Sequence, residues 1–252
     1  MTAHTADSEA KPDGVPDKVD RKRLPVWQET ILLLGIALVF AIVIKALFVQ
    51  AFYIPSESME PGLVKDDRIL VEKPSYWFGE PERGDVVVFK DPGGWLPAED
   101  SAPPTGVKRV LSKIGLYPAG GHLVKRVVGV EGDVIKCCDD QGRISVNGQP
   151  VDEKEYARLD GAECYGPMPT GASHCDWTVG PVPKGKLFVL GDNRSHSGDS
   201  SYHACFDRPD CDDSPYVDVA EVVGKAFLLP WPRDRFTLIQ RPDSFDDVPD
   251  AG

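Results

Sequence analysis

The chain has 252 residues, 41% of them hydrophobic, and its 40 acidic against 28 basic residues give a net charge of −12. This length fits one or two domains, and removal of a tail and an anchor leaves about 190 residues, enough for one sizeable core. The negative charge argues against nucleic acid as a partner, because proteins that bind nucleic acids present basic surfaces.

The N-terminal region combines a polar tail with a long apolar run. Residues 1–25 are rich in Pro, Asp and Lys and are predicted to form a disordered cytoplasmic tail. The run from 31 to 44 carries no charge, and residues 26–49 are long enough to form a transmembrane helix. The alternatives are a buried core helix and a cleavable signal peptide, although no A-x-A site with a polar start follows the run.

Charges on either side of the apolar run predict its orientation. Lysines and arginines cluster before the run, and none occurs between 46 and 64. By the positive-inside rule, the N-terminus is cytoplasmic and the residues after the span lie outside. In that compartment the six cysteines favour disulfides over metal binding or catalysis.

The remainder of the chain, 50–240, is predicted to be a β-rich domain. Asn147-Gly148 suits the positive φ angles of a type I′ hairpin turn. Two insertions interrupt the strands near 91–121, with an amphipathic helix at 107–116, and near 152–183. Residues 241–252 are acidic and are expected to be a flexible tail. The predicted strands are short, rich in Val and Ile, and bounded by Gly or Asp; they lie at 69–73, 84–90, 122–130, 132–137, 143–151, 186–191 and 224–229.

The segment PSESMEPGL at 55–63 places a serine turn just beyond the apolar run. Pro55 restricts one side of the turn around Ser58, and Pro61-Gly62 closes the other. A serine hydroxyl needs a base and donors for an oxyanion before it can act as a nucleophile. Ser58 is the candidate nucleophile; the alternative is an ordinary hydrogen-bonded loop serine.

The base could be a histidine or a lysine. His196 allows a Ser-His-Asp triad, but its flanking residues do not single it out. Lys125 lies between Leu123 and Val127 on one face of a predicted strand. Burial there would lower the lysine pKa and supply a neutral amine, whereas a lysine at the sheet edge would reach water. Arg126, by contrast, stays charged.

The segment GDNRSHSGDS at 191–200 follows the apolar strand KLFVL. Its hydroxyls and carboxylates could orient a lysine amine by hydrogen bonds. Alternatively it is a polar turn, because Gly, Asp, Asn and Ser dominate turns.

Three blocks in this order closely resemble bacterial type I signal peptidase over most of 25–235: PSESMEPGL, RGDVVVF (83–89) with LVKRVVGVEGD (123–133), and GDNRSHSGDS. The resemblance implies an antiparallel β catalytic domain with a conserved core and a variable insertion, after one N-terminal transmembrane helix. It implies a membrane-bound monomer that removes signal peptides from preproteins after small residues at −1 and −3. It implies no metal and no cofactor.

The same resemblance assigns roles by position. Ser58 would be the nucleophile, Lys125 the general base and Ser56 an oxyanion donor. The sequence departs from the family pattern at two positions. Gly62 stands where the family often has Thr, and Ser201 stands where the family usually has an Arg. Arg208 could take the place of that missing Arg. The supporting and substrate-pocket residues follow: Ser197 would bond the lysine amine, Asp199 would support its loop, Asp192 would pair with Arg126, and Phe52, Ile54, Leu63 and Val124 would line the pockets.

The cysteine pairing and three other functions stay open. We expect Cys205–Cys211 to be bridged and one of Cys137-Cys138 to reach the second insertion. One alternative is a self-cleaving protease related to stress-response repressors, although no DNA-binding helices are visible. Another is an inactive anchored paralogue, which the presence of both Ser58 and Lys125 disfavours. The last is a zinc module built from Cys164, His174, Cys175, Cys205 and Cys211, whose spacing lacks the usual pairs.

Overall fold

A computed structural model of the protein describes residues 25–97, 105–109, 120–159, 177–204 and 214–251. Its first element is the 23-residue helix α1, Val26–Phe48. At a rise of about 1.5 Å per residue, such a helix is about 35 Å long, enough for the roughly 30 Å hydrocarbon layer. Glu29 is its only charged residue as far as Val43, and the helix is apolar enough to cross a membrane. The predicted cytoplasmic tail lies almost entirely outside the described residues.

Beyond α1 the domain is built almost wholly of antiparallel strands, which confirms the predicted fold class. In the described residues, one sheet has the order β1-β2-β11-β3-β4-β9-β10 with β12 beside β11, and a second has the order β7-β6-β5-β8. A one-turn helix, α2, covers Ser75–Phe78. The strands are β1 Val49–Tyr53, β2 Arg68–Glu72, β3 Val86–Lys90, β4 His122–Gly129, β5 Ile135–Cys137, β6 Ser145–Val146, β7 Gln149–Pro150, β8 Trp177–Val179, β9 Lys186–Leu190, β10 Val217–Asp218, β11 Val222–Trp231 and β12 Thr237–Leu238.

Every predicted strand is present, and the hairpin turn is formed as expected. Asn147 and Gly148 have φ angles of 52° and 82°, the positive values that a type I′ turn requires. Strands β8, β10 and β12 were not predicted, because two or three residues carry too little alternation to be recognised. Strand β1 was also not predicted, because it begins at Val49, directly after the last residue of α1, and the apolar sequence continues from the helix into the strand without a break.

Strand β4 is buried on both faces, and this determines where its charged residues lie. Leu123 and Val127 belong to one core cluster, which includes Val87 and Phe89 of β3. Val124 packs on a second cluster, and Val128 belongs to a third. The alternation predicted for this strand is therefore correct, and a polar side chain on either face has little access to water.

The expectation of a loose acidic tail is wrong for 241–251. Phe245 and Val248 are buried in the core cluster of the second sheet. The side-chain amide of Asn147 donates to the Pro249 carbonyl at 2.9 Å. The tail passes so close to Gly84 that a Cβ there would lie 2.6 Å from Cγ of Arg241. Two apolar side chains three residues apart attach a segment whose composition is otherwise that of solvated chain.

The expected link from Cys137 or Cys138 to the insertion is also wrong, because the structure joins these two residues in a disulfide. Cys137, at the end of β5, belongs to the core cluster of the second sheet, and Cys138 packs against that cluster. The other four cysteines lie outside the described residues, as do most of the predicted helix at 107–116 and residues 160–176 of the second insertion.

Candidate active site

The turn that carries Ser58 is held from two directions. Within the turn, the Leu63 N–H donates to the Met59 carbonyl at 2.9 Å, and the Met59 side chain is buried. From the loop after β9, the Asn193 N–H donates to the Ser58 carbonyl at 3.0 Å, and its side-chain amide donates to the Glu57 carbonyl at 3.1 Å. The main chain on both sides of the Ser58 Cα is thus fixed before any substrate arrives.

Lys125 and Ser58 meet although 67 positions separate them. The Lys125 Nζ donates to the Ser58 Oγ at 2.7 Å, and the lysine is only 4% exposed. Burial lowers the pKa of Lys125 to about 8, against the opposing effects of the nearby Asp199 and Asp192 carboxylates. At pH 7 about a tenth of such amines are neutral, at a cost of about 1.4 kcal/mol, whereas an ordinary lysine would require about 4–5 kcal/mol.

His196, the alternative base, does not contact Ser58. Its Nδ1 lies 2.9 Å from the Ser195 Oγ, and both residues are exposed. Among the described residues, the hydrogen-bond partners of the Ser58 hydroxyl are Lys125 and Ser56.

Two donors for an oxyanion are available beside Ser58. The Ser56 Oγ lies 3.4 Å from the Ser58 Oγ and is partly exposed to the cavity above. In the described residues, the Ser58 N–H donates to no protein acceptor. An unpaired N–H and a nearby hydroxyl on the same turn are the groups that stabilise a tetrahedral intermediate.

Asp199 is fully buried in the loop after β9 and organises the groups around the lysine. Its Oδ2 accepts from the Gly191 N–H at 2.8 Å and from the Ser197 hydroxyl at 2.5 Å. Its Oδ1 accepts from Ser201, through the backbone N–H at 3.1 Å and the hydroxyl at 2.9 Å. Burial raises the pKa of Asp199, and the Gly191 N–H, the Ser197 hydroxyl and the Lys125 charge oppose this rise.

These contacts correct one expectation and explain one departure from the family pattern. Ser197 was expected to bond the lysine amine; in the described residues its hydroxyl donates to Asp199, and the hydrogen bond from the Lys125 amine goes to Ser58. Ser201 supplies two donors to the carboxylate oxygen that an arginine was expected to hold. Arg208 lies outside the described residues.

Arg126 forms the expected ion pair with Asp192. Its Nε and Nη2 donate to the two carboxylate oxygens at 2.8 and 2.7 Å, and its Nη1 donates to the Gly84 carbonyl at 2.8 Å. The guanidinium lies 4.3 Å above the Tyr156 ring. Both charges are almost fully buried, so the pair fixes the loop after β9 to the strand that carries Lys125.

A cavity of about 340 Å³ opens beside Ser58 and Lys125. Phe52, Ile54 and Val124 line it, as predicted, whereas Leu63 packs in the core cluster beneath and does not line it. Lining residues that were not predicted include Met59, Leu96 and His122. The walls are mainly apolar and suit small uncharged side chains of an extended peptide.

Sequence reasoning missed the network contributed by the second insertion. Glu153 forms a fully buried ion pair with Arg194 at 2.5 Å, and Tyr156 contacts Arg126. Arg194 belongs to the GDNRSHSGDS block, which pointed to the region, but nothing in 152–159 marks Glu153 or Tyr156 as its partners.

No group of three His, Cys, Asp or Glu side chains in the described residues could hold a metal ion. The residues of the zinc alternative all lie outside these ranges.

Comparison with known proteins gives consistent matches over this region. The family described as signal peptidase, peptidase S26, matches residues 27–231. Signal peptidase I of Mycobacterium tuberculosis is 37% identical over 93% of this chain and 83% of its own length. Signal peptidase I of Leptolyngbya laminosa is 32% identical over 86% of each chain. A crystal structure of a signal peptidase I from Enterococcus faecalis is 22% identical and aligns with 58% of this chain and 96% of its own chain. The TM-score is 0.30, so no structural argument is based on this alignment.

Proposed function

Because the chain belongs to the signal peptidase family, peptidase S26, we propose that it is a membrane-bound serine endopeptidase that removes signal peptides from exported preproteins. The observation that carries the proposed mechanism is the 2.7 Å hydrogen bond from the buried Lys125 amine to the Ser58 hydroxyl. A serine next to a lysine of lowered pKa is a nucleophile with its own general base.

In the proposed mechanism, neutral Lys125 takes the Ser58 proton while Oγ attacks the carbonyl carbon of the −1 residue. The Ser58 N–H and the Ser56 hydroxyl donate to the oxyanion. Lys125 then gives its proton to the leaving amine, so the peptide bond breaks and an acyl-enzyme remains on Ser58. Lys125 next deprotonates a water molecule, which hydrolyses the ester and frees the signal peptide.

The cavity supports a preference for small side chains at −1 and −3. Alternate side chains of an extended peptide point the same way, so these two residues would face the same wall. Phe52, Ile54 and Val124 supply apolar surface there and leave no partner for a charged side chain.

The test of this function is cleavage of a preprotein with Ala at −1 and −3 by the full chain in lipid vesicles. We expect a single new N-terminus directly after the −1 residue, found by sequencing, and no product from Ser58→Ala. The exposed Ser75→Ala is the matched control and should cut like the wild type. Cleavage by Ser58→Ala, or a cut within the mature sequence, would contradict the proposal.

A second prediction concerns pH. If Lys125 with its pKa of about 8 is the base, kcat/KM falls about tenfold for each pH unit below 8 and levels off above it. With an ordinary lysine the rise would continue beyond pH 10. The measurement is kcat/KM from pH 6 to 10 on a substrate without titratable groups near the cut. A flat profile between pH 6 and 8 would exclude this base.

We also propose that the N-terminus is cytoplasmic, that the β domain lies outside and that the enzyme works as a monomer. The orientation follows from the basic residues before α1 and their absence from 46 to 64. Protease added outside intact spheroplasts should digest the β domain and leave the N-terminal tail protected. Activity per molecule that rises with enzyme density in vesicles would argue against the monomer.

A further inference from the structure

Residues 153–158, here termed the strap, lie between the two loops that form the site. Ala157 forms a bridge with Pro61 of the nucleophile turn, and Arg158 forms one with Asn193 of the loop after β9. The Arg158 N–H donates to the Asp192 carbonyl at 2.8 Å. The strap thus holds the nucleophile turn and the loop after β9 at a fixed separation.

The strap also carries a buried charge that acts on one particular peptide group. Glu153 pairs with Arg194, both are 1% exposed, and the Tyr156 hydroxyl donates to the Glu153 Oε1 at 3.1 Å. Oriented by this pair, the Arg194 Nε donates to the Gly191 carbonyl at 2.9 Å. Arg194 therefore links the strap to the first residue of the loop.

Gly191 is where the parts of the site come closest together. Its N–H donates to Asp199, and its carbonyl accepts from Arg194. A Cβ at this position would collide with the Ser197 side chain and lie 2.5 Å from the Ser58 carbonyl oxygen. A small shift of Gly191 would therefore move Ser58, which accepts from the Lys125 amine, or Asp199, whose charge acts on that amine.

A buried ion pair is weak evidence for stability, because desolvation of the two charges cancels most of their attraction. The hydrogen bond to Gly191, in contrast, exists only while Arg194 is oriented. We infer that Glu153 is a positioning residue, which through Arg194 and Gly191 holds Ser58 and Lys125 in reactive geometry. This inference rests on the proposed function and adds the strap to it.

The test compares Glu153→Met/Arg194→Met, an apolar pair of similar volume, with the wild type in vesicles on the Ala-Ala preprotein. We expect a thermal midpoint above that of Glu153→Met alone, kcat lowered at least about tenfold and KM within about twofold. The pH midpoint of kcat should also rise. A displaced Gly191 would let water reach Lys125 and weaken the burial that lowers its pKa, while the Asp199 and Asp192 carboxylates continue to favour the charged amine.

Two further variants separate positioning from folding. Glu153→Gln keeps the side-chain shape and an acceptor for Arg194, so it should keep most of the wild-type kcat, whereas a folded Glu153→Met, which has no acceptor, should lose kcat with KM retained. Arg83→Met is the matched control, since it breaks another buried pair, with Asp133, that touches neither loop; its thermal midpoint should fall while kcat and the pH midpoint stay unchanged.

The outcomes distinguish the two proposals. A wild type that cuts no preprotein overturns both of them. A wild type that cuts, beside a folded double variant with the same kcat and pH midpoint, overturns the positioning role alone.

Discussion

Replacement of Lys125 by Met or by Arg should lower kcat/KM for preprotein cleavage by about 10⁴-fold or more, the scale of losses when a residue of a catalytic unit is removed. Methionine has no proton acceptor. Arginine keeps a long cationic side chain but cannot deprotonate in the accessible pH range. The measurement is kcat/KM from initial rates in vesicles. Activity in Lys125→Arg within about a hundredfold of the wild type would refute a neutral-lysine base.

The loss should not come from unfolding. The folded pKa of Lys125, about 8, lies below the reference value of 10.5, so the unfolded chain binds the proton more strongly between these values. The free energy of unfolding therefore rises with pH across that window, and below it the buried charge destabilises the fold. At pH 7, Lys125→Met should melt at or above the wild-type temperature, whereas a lower melting temperature would contradict this assignment. Lys90→Met, at an exposed position on β3, is the control and should change neither quantity.

Loss of the ion pair between Arg126 and Asp192 should have the largest effect on stability. Arg126→Met leaves Asp192 buried with an uncompensated charge, which costs about 3–5 kcal/mol. The double variant Arg126→Met/Asp192→Leu removes both charges and should recover most of this free energy. It should still cleave poorly, because the loop after β9 then lacks its side-chain link to the strand that carries Lys125.

Denaturant unfolding of the full chain in detergent, followed by tryptophan fluorescence, measures these differences. The exposed pair of Lys90 and Glu221 provides the comparison, since such pairs contribute less than about 1 kcal/mol. A double variant as unstable as Arg126→Met would show that the Arg126 hydrogen bond to Gly84, rather than charge compensation, dominates.

The features that could be predicted from the sequence are those that depend on the order of neighbouring residues. Alternation around Lys125 placed it between two apolar neighbours but left a buried lysine and a lysine at the sheet edge both open, and the Asn147-Gly148 pair indicated its turn. Both features depend on neighbours within a few residues. The family blocks then brought Ser58 and Lys125 together, and the 2.7 Å contact agrees with that pairing.

What could not be predicted depends on the three-dimensional arrangement of the partners. Ser197 was expected to bond the lysine amine, and the sequence did not show that its hydroxyl would donate to Asp199. The burial of Phe245 needs the second sheet to be in place, and composition alone indicated a solvated tail. Glu153 lies in a segment without a motif, so only its burial opposite Arg194 reveals it.

The crowding at Gly191 has a consequence for how this enzyme can vary over evolutionary time. Any larger residue there must displace the Ser58 carbonyl or the Ser197 side chain. Natural variants that lose this glycine should therefore carry compensating changes in both neighbouring segments. Single-step replacements should be absent from functional lineages, even though position 191 itself performs no chemistry.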